Sequence, residues 1–237
     1  MPCLNEARQI GPLVAAIRCH LPTVIVVDDG STDDTGMAAR QAGAEVIWHE
    51  QPRGKGAALI AGLQRAVARG FAHALTMDGD GQHSPEDIPA LLSRADATGA
   101  ALVIGNRMGN ASAMPPARRW VNRWMSRRLG ALFEENWPDT QCGFRLVRLA
   151  EWRALPFGTA HFEYESEMLC AYTEAGYRIE FVPVQVIYRG ERSKIHPLRD
   201  TVRWFRWFLR CRRQLKERRK RAAIQPATAA RNRASIP

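Results

Sequence analysis

The stretch Thr23-Val24-Ile25-Val26-Val27-Asp28-Asp29-Gly30-Ser31-Thr32-Asp33 decides the fold class. A run of β-branched residues stops abruptly at carboxylates, glycine and hydroxyls. So short an apolar run, bounded by turn residues, reads as a strand buried on both faces. Upstream, residues 6–18 place Ile10, Leu13, Val14 and Ile17 on one helical face. Downstream, residues 33–41 read as a helix with Ser31 or Thr32 as its cap. The alternation continues with strands at 44–48, 72–77 and 101–105 and helices at 56–69 and 85–97, Pro85 standing near the start of the last. A β-α-β-α order predicts a parallel sheet covered by helices, with ligands beyond the carboxyl ends of the strands. Beyond it, residues 117–133 and 164–175 read as helices, and 178–187 as a strand broken near Pro183.

The chain has 237 residues, 46% of them hydrophobic and 24% charged, a globular composition. Its net charge of +10 is unevenly spread. Residues 1–191 hold 19 Lys/Arg against 22 Asp/Glu, whereas residues 192–237 hold 15 against 2. A mildly acidic domain therefore carries a basic tail, which excludes a uniformly basic nucleic-acid-coating protein and points to an anionic surface. Five cysteines without a C-x-x-C pair argue against a disulfide framework or a zinc site. No apolar run reaches the roughly 18 residues of a membrane span and no signal peptide opens the chain, so a cytoplasmic protein is expected.

Four segments carry chemistry. Asp28 and Asp29 follow a strand, where a carboxylate can accept from a base N–H or a ribose hydroxyl; the same residues also suit a strand-to-helix turn. In Asp78-Gly79-Asp80-Gly81-Gln82-His83, two aspartates two apart can turn towards one cation, with Gln82 as a further oxygen ligand; Mg²⁺ or Mn²⁺ suits such a set. The glycines let the backbone approach a diphosphate, although a solvated turn has the same composition. Cys142, in Asp139-Thr140-Gln141-Cys142-Gly143-Phe144-Arg145, has no partner histidine and reads as a packed small residue. Arg189, Arg192, Ser193 and Lys194 form a basic loop suited to phosphate, or a solvated one.

In one order the chain carries Pro2-x-Leu4-Asn5-Glu6, the run at 26–35, Arg53-Gly54-Lys55-Gly56, the segment at 78–83, Gly105-x-Arg107, the segment at 139–145 and Ser193-Lys194. Together these resemble the inverting family 2 glycosyltransferases, nearest the dolichol-phosphate mannosyltransferase-like branch that includes bacterial polyprenyl-phosphate sugar synthases. The resemblance covers about residues 2–196. It implies a Rossmann-like nucleotide-diphospho-sugar transferase fold of the glycosyltransferase A type, a UDP- or GDP-sugar donor and a polyprenyl-phosphate acceptor. Pro2, Leu4, Glu6, Val26 and Asp28 resemble the nucleoside pocket. Asp78 and Asp80 match the metal-binding pair around Gly79, and Gln82 an additional ligand. Arg107 matches a donor-site arginine, and Arg189 and Lys194 the late loop over the diphosphate, Arg189 standing one residue nearer the lysine than expected. The family has a strand before P-x-L-N-E, so an opening strand is expected roughly 8–10 residues upstream of Met1.

A phosphate acceptor needs cations, for which Arg118, Arg119, Arg123, Arg127 and Arg128 are candidates; a hydroxyl acceptor needs a base, for which Asp139, Glu163 and Glu165 are. Asp139 could instead shape the site by bonding backbone or Arg145. At about 100° per residue, Arg199, Arg203, Arg206, Arg210 and Arg213 share one arc, and Trp204, Phe205, Trp207 and Phe208 lie opposite. That pattern predicts a catalytic domain over 1–196, a basic amphipathic membrane-interface helix over 197–221 and a disordered tail over 222–237. Two rival classes remain. A sugar nucleotidyltransferase would want a Gly-rich basic loop after the first strand. A non-enzymatic membrane- or nucleic-acid-binding module would be indifferent to loss of Asp78 and Asp80.

Overall fold

The computed structural model describes residues 1–109, 114–188 and 197–233, with side chains in the last segment described from Asp200 to Arg219. The chain forms two units, Met1–Arg192 and Ser193–Pro237.

Among the described residues the first unit contains seven strands. β1 (Pro2–Cys3), β2 (Ile25–Asp28) and β3 (Glu45–Trp48) form a parallel sheet in the order β1-β2-β3. β4 (His73–Thr76), β5 (Leu102–Asn106), β6 (Arg145–Arg148) and β7 (Ile179–Pro183) form a second in the order β4-β6-β5-β7. Here the fully parallel expectation is corrected: β6 runs antiparallel to both β4 and β5, while β5 and β7 are parallel. The Cys3 Sγ would lie 2.4 Å from a Cβ placed on Gly79, so the loop after β4 runs against β1.

Helices flank the sheets. α1 (Ala7–Arg18) buries Ile10, Leu13, Val14 and Ile17, the face its spacing predicted. Truncating Ile10, Leu13 or Ile17 to alanine carries a typical cost of about 2–5 kcal/mol. α2 (Thr35–Gln41), α3 (Lys55–Ala68) and α4 (Ile88–Thr98) follow β2, β3 and β4, with a 3₁₀ turn at Pro85–Asp87 before α4. The predicted cap of α2 moves: Ser31 Oγ accepts from the Asn5 N–H, and Asp33 Oδ1 accepts from the Thr35 N–H. α5 (Pro116–Phe133), α6 (Leu149–Ala154) and α7 (Tyr164–Glu174) complete the unit. The sequence pattern marks neither β6 nor α6.

The second unit contains α8 (Pro197–Arg233), which continues past residue 221, where the amphipathic pattern placed its end. On α8, Val202, Phe205 and Leu209 are exposed, but Trp204, Trp207 and Phe208 are buried, so only part of the apolar face that the sequence predicts for a membrane is open. Among the described residues no helix is long and apolar enough to cross a membrane.

Candidate active site

The site is built where β1, β2 and β4 end. The turn after β2 is knitted to the segment after β1. Asn5, at a φ of 52°, donates its N–H to Ser31 Oγ at 2.9 Å and accepts the Thr32 N–H at 2.8 Å. Glu6 N–H donates to Thr35 Oγ1 at 2.7 Å, and Ala7 N–H to Asp33 Oδ2 at 3.2 Å. The hydroxyls and Asp33 are thus consumed by turn chemistry. Pro2, Leu4 and Glu6 lie half-buried beside them, Val26 is wholly buried, and buried Asp28 accepts the Ser31 N–H at 2.9 Å.

Asp29, to which the sequence reading gave no separate role, is a clamp. Its Oδ1 lies 2.7 Å from His49 Nδ1 and accepts the Arg53 N–H at 2.9 Å; its Oδ2 accepts the Gly54 N–H at 2.8 Å. These bonds fix the entry into α3. Gly54 sits there at a φ of 102°, a conformation that favours glycine. The next residue, Lys55, extends to Asp78: its Nζ lies 2.8 Å from Asp78 Oδ1 and 2.5 Å from Glu165 Oε1.

Asp78 and Asp80 follow β4. Burial raises the Asp78 carboxyl, but the Lys55 ammonium offsets this and brings it down to about 2. Asp80 is pushed up to about 6 by burial and by the neighbouring Asp78 charge. Burial opposes the Lys55 charge, and its two carboxylates overcome this and hold it above the ordinary lysine value. A Cβ on Gly143 would stand 2.8 Å from both Asp78 oxygens, which explains a glycine there. Buried His83 places Nε2 3.9 Å from Asp78 Oδ2, and burial pushes its pKa down to about 4. Gln82 bonds Asp80 Oδ1 through its N–H, while its Oε1 lies 3.5 Å from an Arg118 nitrogen that also reaches Tyr188 Oη at 3.1 Å.

The oxygen donors of Asp78 and Asp80 fit a hard divalent cation. Among the described residues no group of three or more His, Cys, Asp or Glu side chains could hold an ion alone. Such a site suits a cation that takes its remaining ligands from substrate phosphates and water.

Arg107, at the end of β5, makes a two-point pair with Asp139: Nε to Oδ2 at 2.7 Å and a terminal nitrogen to Oδ1 at 2.9 Å. The Arg107 and Gln141 N–H groups add bonds to the same carboxylate. Asp139 is 0% exposed. Burial opposes its charge, and Arg107 nevertheless holds its pKa below the ordinary value. The partner of Asp139 is therefore Arg107. Buried Arg145 instead donates to the carbonyls of Cys142, Glu165 and Thr140 at 2.7, 2.6 and 2.9 Å. Arg189 and Lys194 lie outside the described residues.

Burial pushes the Cys142 and Cys3 thiols up to about 12, so neither carries a thiolate at neutral pH. Cys19 is the exposed cysteine. Brief iodoacetamide treatment of the folded protein is expected to label Cys19 first and spare Cys142, as read by peptide mapping; fast labelling of Cys142 would restore its candidacy as a nucleophile.

The two sheets and their flanking helices, with Asp78 and Asp80 beyond β4, have the glycosyltransferase A-type fold. Residues 1–152 match the model of glycosyl transferase family 2, and the chain belongs to that family. It is 30% identical over 208 residues to the undecaprenyl-phosphate mannosyltransferase of Micrococcus luteus, spanning 80% of this chain and 82% of that one. It is 29% identical over 211 residues to the UDP-N-acetylglucosamine–dolichyl-phosphate N-acetylglucosaminyltransferase of Methanococcus voltae, spanning 79% and 84%. Glucosyl-3-phosphoglycerate synthase from Mycobacterium tuberculosis, solved with Mn²⁺, UDP-glucose and phosphoglyceric acid, shares the fold. Its TM-score is 0.69 at 24% identity, over 89% of this chain and 77% of that one.

Proposed function

We propose that this glycosyltransferase moves a sugar from a UDP- or GDP-sugar to a polyprenyl phosphate at a membrane, inverting the anomeric centre with the help of Mg²⁺ or Mn²⁺. The observation that carries the donor half is the Asp78/Asp80 pair after β4, in a loop that runs against β1 at Gly79 and Cys3. Asp78 and Asp80 hold the ion, with Gln82 adjoining. When bound, the ion supplies positive charge against the negative charge developing on the leaving diphosphate. Arg107, held in its pair with Asp139, is the donor-side arginine, and the resemblance assigns Arg189 and Lys194 to the diphosphate as well. Pro2, Leu4, Glu6, Val26 and Asp28 shape the nucleoside pocket, and Gly79 leaves room for the diphosphate.

The state of the carboxylates supports a phosphate acceptor. A hydroxyl must lose its proton to a base, whereas a phosphate monoester is already anionic. Of the three candidate bases, Asp139 accepts from four donors, Glu165 is paired with Lys55, and Glu163 is buried. Arg118, near Gln82, begins a series of arginines on α5 that suits an anionic headgroup. Both named relatives act on lipid phosphates by their names. Trp120 on α5 is 67% exposed, and α8 exposes Val202, Phe205 and Leu209 among arginines, which supports contact with an anionic cytoplasmic leaflet.

A panel of labelled UDP- and GDP-sugars, incubated with polyprenyl phosphate in anionic vesicles and Mg²⁺ or Mn²⁺, tests the reading. A lipid-extractable product from donors of one base, lost on adding EDTA, is expected. Failure of every donor would overturn it.

A further inference from the structure

The Lys55 ammonium stands between two carboxylates from distant parts of the chain. Its Nζ is 2.8 Å from Asp78 Oδ1 and 2.5 Å from Glu165 Oε1, and the Glu165 side chain is 4% exposed. The second Glu165 oxygen is buried with no hydrogen-bond partner among the described residues. The backbone around this bridge is fixed from both sides. Asp29 holds Arg53 and Gly54 just before Lys55. Just after it, the Ala57 N–H donates to the Ala160 carbonyl at 3.0 Å. A Cβ on Gly56 would stand 2.8 Å from the Ala160 carbonyl carbon and 2.9 Å from the His161 oxygen. The ammonium also lies 5.6 Å from the centre of the Phe162 ring. The start of α3 and the approach to α7 are therefore zipped together, which fixes the Lys55–Glu165 pair as a unit beside Asp78.

Lys55 thus bridges two carboxylates, Asp78 and Glu165, while Asp80 follows two residues after Asp78. A cation entering at Asp78 and Asp80 meets the ammonium already seated on Asp78 Oδ1, and two positive centres on one carboxylate repel. We infer that Lys55 is a built-in counter-ion that occupies Asp78 before the divalent ion arrives, and that Glu165 is the positioning residue that receives the ammonium when the ion takes its place. Lys55 and the ion compete for Asp78, and Glu165 weakens the lysine's hold. The pair thereby lowers affinity for the free ion and favours its binding together with the donor, whose phosphates bring further negative charge. The inference rests on the assignment of Asp78 and Asp80 to the cation.

Mn²⁺ titration of the full chain, followed by electron paramagnetic resonance without nucleotide or acceptor, tests it. Lys55→Met removes the competitor and is expected to tighten Mn²⁺ binding by about tenfold or more. Lys55→Arg keeps the charge and is expected to remain near wild type. Glu165→Gln leaves the ammonium on Asp78 alone and is expected to weaken binding severalfold. In the Lys55→Met background the same change should have little effect, a non-additivity that a merely structural glutamate would not produce. Lys55→Gln serves as a second neutral variant should the methionine protein fold poorly. Unchanged or weaker Mn²⁺ binding in the neutral variants overturns the competition. Equal effects of Glu165→Gln in both backgrounds overturn the positioning role. A wild-type protein that binds no Mn²⁺ at any concentration overturns the cation assignment itself, and the inference with it.

Discussion

Changing Asp78 and Asp80 together to asparagine is expected to lower sugar transfer on the order of a thousandfold, while circular dichroism and the unfolding transition keep their native form. The pair lies after β4, outside the strand ladder. Their carboxylates face the Lys55 ammonium and the Gln82 N–H, and neither oxygen set is the partner of a strand. Two amides of the same size remove two negative charges and leave the shape. Lys55 keeps Glu165 as a partner, so no buried cation is stranded. The loss should appear mainly in kcat/KM for the nucleotide-sugar and in Mn²⁺ binding. Wild-type turnover in this variant would remove the ion from the chemistry and favour a binding module over an enzyme site here.

Asp139→Ala is expected to behave in the opposite manner, striking stability first. The substitution strands the Arg107 guanidinium in a largely buried position and deprives the Arg107 and Gln141 N–H groups of their acceptor. Breaking a buried pair from one side costs about 3–5 kcal/mol, which urea unfolding would register directly. The pH dependence has a definite sign. The folded carboxyl lies below its ordinary value, so its contribution is complete above the ordinary carboxylate range and is lost as pH falls through the lowered folded value. The alanine variant should lack that acid-dependent loss. If Asp139 were instead the base for a hydroxyl acceptor, Asp139→Asn would collapse kcat with near-native stability.

Much of the molecule was legible in the chain because periodicity and punctuation agree. The β2 run, the α1 face and the 78–83 loop announce themselves locally. β6 did not, and Arg145 explains why. A strand written Arg-Leu-Val-Arg presents charge where a buried strand wants none, yet Arg145 is buried because three carbonyls meet its guanidinium. The antiparallel insertion of β6 between β4 and β5 is likewise a matter of tertiary pairing. Asp29 and Lys55 sat inside quoted motifs without a distinct role, because their partners arrive from residues 49–54 and 165. The glycines at 54 and 56 were the available signal: two in three positions at a helix start mark a close approach by another segment. Asp139 reads from sequence either as a base for a hydroxyl acceptor or as a site-shaping residue bonded to backbone or Arg145; its pairing with Arg107 has no local signal, since two motifs 32 residues apart meet only once β5 and β6 pair.

A lipid phosphate, rather than a hydroxyl, is the proposed recipient of the sugar. The most direct measurement compares polyprenyl phosphate with the corresponding polyprenol as acceptors for a labelled nucleotide-sugar, and determines the anomeric configuration of the product by NMR. Transfer to the phosphate alone is expected, giving a sugar phosphodiester with the configuration opposite to that of the donor. Transfer to the alcohol, or a product with retained configuration, would contradict it.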